Sequence, residues 1–157
     1  MTDSRYNQFL EFIDEIKEIE RFEFTESVRT SDQAVLVSGF TKANFAKTIL
    51  LKHKEDDLFV AAIIPIGSTV DKKSLVEGVK PKRWRLASSE EIFNITGFEA
   101  GGVPPIGLGD KVTKYVDPRV MKLDYVIAGG GDTNSLLKLP PVYITGDGAV
   151  QKVVSFG

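Results

Sequence analysis

A segment rich in glycine and proline, from Gly97 to Leu108, constrains this chain more than any other part of its sequence. It reads Gly-Phe-Glu-Ala-Gly-Gly-Val-Pro-Pro-Ile-Gly-Leu, with four glycines and two prolines in twelve residues. Because proline fixes φ and lacks an N–H, and because glycine weakens helices and strands, the segment cannot continue either element. It therefore predicts a loop of fixed shape, which either connects two elements or binds a small polar ligand through its backbone.

The composition predicts one domain with a hydrophobic core. The chain has 157 residues, of which 42% are hydrophobic and 27% are charged. The formal net charge of −2 gives no global attraction to nucleic acid, so any RNA contact must use a local basic patch. No apolar run approaches the ~20 residues that span a bilayer, and the N-terminus does not resemble a signal peptide. We therefore expect a cytoplasmic protein with no membrane partner.

Cysteine and histidine usage excludes several kinds of site. The chain has no cysteine, which removes thiol nucleophiles, disulfides and thiolate metal sites. It has one histidine, His53, so a zinc site rich in histidine lacks ligands and a Ser-His-Asp mechanism would have to use this residue. His53 lies at the end of a predicted strand, and we interpret it as structural. The sequence thus predicts no metal and no cofactor.

Hydrophobic periodicity and capping residues predict a mixed chain of helices and short strands. The predicted helices cover 3–20, a segment through 34–37 that residues 30–32 cap and Gly39 ends, a segment from Asp71 that stops near Gly78, and a segment through 92–95 that Ser88 and Glu91 cap and Gly97 ends. The predicted strands are 22–25, 48–52, 58–64, 84–86, 111–116, 125–128, 136–139 and 150–156. A helical turn begins at Asp117-Pro118, and a hairpin is predicted through 140–148.

Lys47 is a cation at the beginning of an apolar strand. With a period of two it shares a face with Ile49 and Leu51. Because an unpaired lysine is costly to bury, its side chain either extends to the edge of the sheet or points into a pocket.

Two other segments have both a structural and a functional interpretation. The turn from Ala128 to Asp132 lacks the spacing of a dinucleotide-binding motif and is typical of a tight connection between strands, in which Asp132 is either solvated or orients a ligand. A basic stretch is either a solvated face or a phosphate contact, and its members are Lys72, Lys73, Lys80, Lys82, Arg83 and Arg85.

These pieces occur in the order of one known family. The order is Ala46–Lys52, the strand that ends at Pro65, Arg85–Glu91 followed by the glycine-proline loop, and the turn from Ala128 to Asp132, called the glycine turn below, followed by Leu136–Leu139. From about residue 25 to 140, most of its length, the chain resembles the YbaK/prolyl-tRNA synthetase-associated domain family of aminoacyl-tRNA deacylases and synthetase editing insertions. The resemblance implies an α+β fold with a bifurcated mixed β-sheet flanked by helices. One domain would span 1–157, with an N-terminal helix at 1–20 packed on it.

The resemblance also implies a set of site residues. Lys47, Gly101 and Gly102 would be catalytic, with Lys47 holding the terminal phosphate or polarising the ester carbonyl, and the loop backbone placing the adenosine and a water molecule. A hydroxyl of the tRNA terminus would assist. The residues implied to bind substrate are Val103, Pro104, Pro105, Ala128, Gly129, Gly130 and Asp132, with Ala128 making the wall more apolar. The residues implied to bind the tRNA acceptor end are Lys80, Lys82, Arg83 and Arg85.

The implied function is trans-editing, the hydrolysis of the ester of mischarged tRNA, with tRNA for proline carrying a small non-cognate amino acid as substrate. Two alternatives stay open: a catalytically silent module that recruits or regulates a synthetase, and a hydrolase of another small ester. The implied partners are the tRNA acceptor end and prolyl-tRNA synthetase, while the sequence leaves the oligomeric state open, a dimer included. The segment 140–157 departs from the family pattern.

Overall fold

The structure is a computed structural model that describes residues 4–72, 83–146, 150–151 and 155–156. The helices of the described residues are α1 (Ser4–Asp14), α2 (Ser31–Ser38), α3 (Ser89–Thr96), α4 (Pro118–Met121) and α5 (Val142–Thr145). The strands are β1 (Glu20–Glu23), β2 (Ala46–His53), β3 (Phe59–Pro65), β4 (Thr69–Val70), β5 (Trp84–Leu86), β6 (Val112–Val116), β7 (Val126–Gly129), β8 (Ser135–Leu139), β9 (Val150–Gln151) and β10 (Ser155–Phe156).

The strands form a forked arrangement of sheets. A five-stranded sheet has the order β5-β2-β3-β6-β9, antiparallel from β5 to β3 and parallel from β3 to β9. A three-stranded antiparallel sheet has the order β1-β8-β7, and β4 pairs with β10. The two larger sheets meet just before β2, where Phe45 forms a parallel bridge with Ile127. The predicted α+β fold with a bifurcated mixed sheet is confirmed.

Local capping explains the two helices that flank the fork. The Thr30 side chain accepts a hydrogen bond from the Gln33 N–H, and Gln33 completes a capping box at the start of α2. Ser88 and Glu91 form the corresponding capping box of α3. Both predicted helix starts are therefore confirmed, as are the ends at Gly39 and Gly97.

The core lies on both faces of the five-stranded sheet, because β3 is buried from Phe59 to Ile64. On one face, Ala46 and Leu50 join a cluster with the glycine-proline loop and α1, whose Phe9 makes an edge-to-face contact with Phe98 at 4.9 Å. On the other face, Leu51 packs with buried Trp84. No helix of the described residues is long and apolar enough to cross a membrane.

Several predicted elements differ from the structure. The first helix ends at Asp14 rather than 20, and two successive turns carry the chain into β1, which begins at Glu20 instead of 22. Ile19 keeps the helical spacing but packs on the core from the turn. The predicted strand at 150–156 is two separate strands that pair with β6 and β4.

The predicted hairpin through 140–148 is wrong, because Val142–Thr145 is the short helix α5. Two prolines precede this helix, where a missing N–H and a fixed φ are compatible with a helical start. The Ile144 N–H donates to the Pro141 carbonyl, and Ile144 is fully buried. The predicted helix that follows Asp71 lies outside the described residues.

Candidate active site

A cavity of about 380 Å³ lies at the fork between the two larger sheets. Its walls come from the beginning of β2, the end of β7, the start of α2 and the glycine-proline loop. Five of the residues predicted for the site line it, namely Lys47, Gly101, Val103, Ala128 and Gly129. The structure therefore brings together three segments that are far apart in sequence at the point where the two sheets diverge.

Lys47 is a half-buried cation in the wall of this cavity. It lies opposite Ile64 of β3 in the strand register. Its ammonium group makes no hydrogen bond or ion pair with any residue that the structure describes. A lysine without an acidic partner beside an apolar wall is able to stabilise an anion or a developing negative charge.

The loop presents free backbone groups at Gly101 and Val103. Gly101 has a φ of +87°, a conformation that favours glycine. Within the described residues, the N–H and carbonyl of Gly101 and of Val103 form no hydrogen bond, although both residues line the cavity. These groups are available to hold a polar ligand without titrating.

Gly102 has a different task, because its backbone groups are engaged within the protein. Its N–H donates to the Glu99 carbonyl at 3.0 Å, and its carbonyl accepts from the Gly131 N–H at 2.8 Å. A Cβ at this position would lie 2.3 Å from the carbonyl oxygen of Asp132. Gly102 therefore fixes the loop against the glycine turn, rather than offering groups to a ligand.

The two prolines predicted to bind substrate, Pro104 and Pro105, are buried and lie outside the described lining of the cavity. The buried ammonium group of Lys114 donates to the Pro105 carbonyl at 2.7 Å. This contact holds the loop on the edge of β6, which is a scaffolding position.

Gly130 also lies outside the described lining. Its N–H donates to the Ser135 carbonyl at 3.0 Å, and its carbonyl accepts from the Arg21 guanidinium at 2.9 Å. The N–H thus closes the turn between β7 and β8, and the carbonyl links that turn to β1.

Asp132 is the centre of a polar network behind the cavity wall. Its carboxylate pairs with Arg21 at 3.0 Å and accepts hydrogen bonds from the Tyr6 hydroxyl, the Ser135 hydroxyl and the Asn134 N–H at 2.8, 2.8 and 2.9 Å. Burial by itself would raise the pKa of this carboxyl, but the hydrogen bonds and the Arg21 charge outweigh burial and lower it. Burial and the bond to Asp132 raise the pKa of Tyr6 to about 12.

The structure describes only part of the basic stretch. Lys80 and Lys82 lie outside the described residues. Arg83 forms an ion pair with Glu55. Arg85 donates to both carboxylate oxygens of Glu91 at 2.7 and 2.8 Å, and these bonds lower the pKa of Glu91 to about 2. Both arginines therefore form ion pairs with acidic side chains of the same chain, which makes them less available to bind a phosphate of the tRNA.

Arg29 is a functional candidate that the sequence did not reveal. It is exposed at the rim of the cavity, and its guanidinium makes no hydrogen bond or ion pair with a described residue. Its Cγ lies 2.3 Å from the position that a Cβ on Gly101 would take, so the arginine lies directly on the loop. The only local signal is that Arg29 precedes the cap of α2, and that signal is not distinctive.

The described lining contains no histidine, aspartate or glutamate. His53 is buried elsewhere, where its Nδ1 accepts hydrogen bonds from the Glu55 and Asp56 N–H groups at 3.3 and 3.0 Å. The part of the chain that the structure describes has no cluster of three residues able to hold a metal ion. The cavity thus combines free cations with free backbone groups, which suits an anionic or ester-bearing ligand.

A family model for the aminoacyl-tRNA editing domain matches residues 25–145 of this chain. Proline–tRNA ligase of Caldicellulosiruptor bescii is 33% identical over 115 residues, which cover 73% of this chain and 19% of the ligase. The chain thus spans about a fifth of the length of that relative.

Two solved structures have the same fold over nearly the whole chain. A hypothetical protein superposes with a TM-score of 0.77 at 26% identity, with 97% of this chain and 99% of that chain covered. A second structure, described as a candidate trans-editing enzyme for prolyl tRNA synthetase, superposes with a TM-score of 0.75 at 23% identity, with 98% and 96% covered.

Proposed function

The chain belongs to the aminoacyl-tRNA editing domain family, and we propose that it is a deacylase that hydrolyses the ester of mischarged tRNA in trans. The substrate we propose is tRNA for proline carrying a small non-cognate amino acid, in line with the proline–tRNA ligase relative. One observation carries the proposal: the cavity joins the unpaired ammonium group of Lys47 to the free backbone groups of Gly101 and Val103.

These groups suit the hydrolysis of an ester. Attack of water on the carbonyl places negative charge on its oxygen, and a cation close to that oxygen stabilises the transition state. Backbone N–H and carbonyl groups orient the ester and the water without changing their charge with pH. Because the described lining holds no histidine or carboxylate, we assign proton transfer to the free hydroxyl of the terminal ribose, which the substrate itself supplies.

Arg29 allows the two candidate roles of Lys47 to be separated. A phosphate is strongly hydrated and is costly to bury, so it binds best at an exposed position. Arg29 is at the exposed rim, and its planar guanidinium matches the geometry of a phosphate. We therefore assign the terminal phosphate of the tRNA to Arg29 and the ester carbonyl to half-buried Lys47.

The walls of the cavity favour a small acyl group. A volume of about 380 Å³ is near the lower end of the range of roughly 300–1,000 Å³ for ligand pockets. Buried apolar side chains line its inner part, among them Leu50, Val103 and Ala128. A short aliphatic amino acid fits these walls better than a long or charged one.

The partners and the setting follow from this activity. We propose that the tRNA acceptor end is the substrate partner, that prolyl-tRNA synthetase supplies the mischarged tRNA, and that the reaction takes place in the cytoplasm. A single domain over 1–157 carries it. Lys80, Lys82, Arg83 and Arg85 stay predictions as tRNA contacts, although the ion pairs of the two arginines reduce their availability.

Release of amino acid from a panel of mischarged tRNAs tests the proposal. We expect Lys47→Ala to lower kcat about 10²–10³-fold, which is the usual loss when one oxyanion-stabilising group is removed. Because the Lys47 side chain forms no hydrogen bond or ion pair within the described residues, the midpoint of thermal unfolding should stay within about 2 °C of the wild-type value. Wild-type protein that releases no amino acid from any member of the panel would refute the proposal.

Lys52→Ala is the matched control. Lys52 is on the same strand, but its ammonium group donates to the carbonyls of His53 and Asp56 and does not line the cavity. Its removal should leave turnover unchanged. Equal losses in the two variants would mean that Lys47 acts only through the strand.

A further inference from the structure

Thr48 has a buried hydroxyl that no described residue satisfies. Its Oγ1 atom forms no hydrogen bond with the part of the chain that the structure describes. Thr48 shares a face of β2 with Ala46 and Leu50, which belong to the apolar core, and its register partner on β3 is Ile63. Because a buried hydroxyl without a partner is destabilising, a valine of nearly the same shape would suit this position better for folding alone.

Thr48 nevertheless lines the cavity. The residue is half-buried although its oxygen is buried, so its accessible surface belongs to its other atoms. Rotation about the Cα–Cβ bond exchanges the places of the hydroxyl and the methyl group among staggered positions. Since the hydroxyl makes no bond in its present place, no bond has to break for it to turn toward a ligand.

Among the residues that the structure describes, the cavity has no anionic group for the amine of an aminoacyl ester. Its described lining contains the cations Arg29 and Lys47 and no carboxylate. The hydroxyl of Thr30, also in the lining, already accepts from the Gln33 N–H at the start of α2. The amine therefore needs a neutral acceptor, and the Thr48 hydroxyl is one that the lining offers, on the strand that carries Lys47.

We propose that the Thr48 hydroxyl accepts a hydrogen bond from the α-amino group of the bound aminoacyl ester and so makes the site selective for amino acids over other acyl groups. This inference rests on the proposed deacylase function and extends it to recognition of the amine. Thr48 then acts as a specificity-determining residue.

The test crosses a change in the protein with a change in the substrate. The protein is wild-type, Thr48→Val or Thr48→Ser, and the substrate is tRNA acylated with alanine or with propionate, which lacks only the amine. We expect Thr48→Val to lower kcat/KM at least 10-fold for the alanyl ester and less than twofold for the propionyl ester. Thr48→Ser keeps the hydroxyl and should retain the preference for the alanyl ester.

Stability supplies a second readout that a structural role would not give. The thermal midpoint of Thr48→Val should equal or exceed that of the wild-type protein, because the change removes an unsatisfied polar atom. Thr113→Val is the control, since Thr113 is an exposed strand residue that does not line the cavity.

The outcomes are distinct. Equal losses of kcat/KM for the two esters, no loss for the alanyl ester, or a clearly lower thermal midpoint for Thr48→Val would each overturn the assignment while wild-type turnover persists. Absence of wild-type turnover on both esters would instead overturn the proposed function, and the amine assignment with it.

Discussion

Replacing Gly101 or Gly102 of the loop with alanine should have different effects on stability and activity. Gly102 is packed against backbone and Gly101 against a side chain. A Cβ on Gly102 would lie 2.3 Å from the Asp132 carbonyl oxygen, whereas ordinary contact begins near 3.4 Å. The loop would have to move by the difference, about 1.1 Å, because a backbone atom cannot turn away as a side chain can.

The magnitude for Gly102→Ala follows from this displacement. Overpacking of this kind costs about 1–3 kcal/mol, and loss of the hydrogen bond from the Gly131 N–H to the Gly102 carbonyl adds about 1 kcal/mol. We therefore expect a loss of about 2–4 kcal/mol in the free energy of unfolding, which is a fall of roughly 5–15 °C in the thermal midpoint for a chain of this length.

Gly101→Ala should cost less stability and more activity. Its Cβ meets the stem of the exposed Arg29 side chain, which can move, so the remaining strain is the φ of +87°, worth about 1–2 kcal/mol. Moving Arg29 off the loop removes a cation from the rim of the cavity and alters the free backbone groups. We expect deacylation to fall at least 10-fold while the protein remains folded.

The assay is a pair of measurements on each variant, urea or thermal unfolding by circular dichroism and deacylation well below the unfolding midpoint. Arg29→Ala supplies a further control, because in that background Gly101→Ala no longer displaces a side chain and its extra effect on activity should shrink. A Gly102→Ala variant as stable as the wild-type protein would refute the packing argument. Equal effects of the two glycine changes on stability and activity would show that the loop behaves as one unit.

Two further predictions concern charge. Arg29→Ala should raise KM for tRNA by about tenfold, with a smaller change in kcat, and should lower the salt dependence of tRNA binding by roughly one phosphate contact. Arg29→Lys keeps the charge and should lose less affinity for tRNA. An unchanged salt dependence in Arg29→Ala would exclude the phosphate role. Because the folded-state pKa of Asp132 is lowered, its stabilising effect is present above the ordinary value of 3.8 and is lost as the pH falls through the folded value. Asp132→Asn should therefore be less stable than the wild-type protein at pH 7 and less sensitive to acid below pH 3.8, as urea unfolding at several pH values would show.

Elements fixed by neighbouring residues could be predicted from the sequence. The cap at Thr30, the capping box at Ser88 and the ends at Gly39 and Gly97 each depend on a few adjacent residues, and the structure has all four. The hairpin at 140–148 failed for the opposite reason. Its prolines and glycines are compatible with a turn or with a short helix, and the burial of Ile144 against the core selects the helix.

The site was predictable only in part, because its geometry depends on contacts distant in sequence. The resemblance to the family predicted that Lys47 and the glycine-proline loop belong to the site, and the structure places Lys47, Gly101 and Val103 in one cavity. Arg29 and Thr48 have no local signature. Arg29 is a candidate because the fold places its side chain against Gly101. Thr48 is a candidate because it lies on the face of β2 that packs on the core beside the cavity.

The arrangement separates residues that hold the cavity from residues that can act in it. Gly102 fixes the loop to the glycine turn through the Gly131 N–H, and Asp132 fixes that turn through its bonds to Arg21 and Ser135. Asp132 can therefore affect activity without touching a ligand, since the turn it holds carries the Gly102 contact. A substitution at Asp132 should change stability and turnover together, whereas a substitution at Lys47 should change turnover alone. The effect on stability therefore distinguishes a residue that holds the cavity from a residue that acts on the substrate, in a site with no acid or histidine in its described lining.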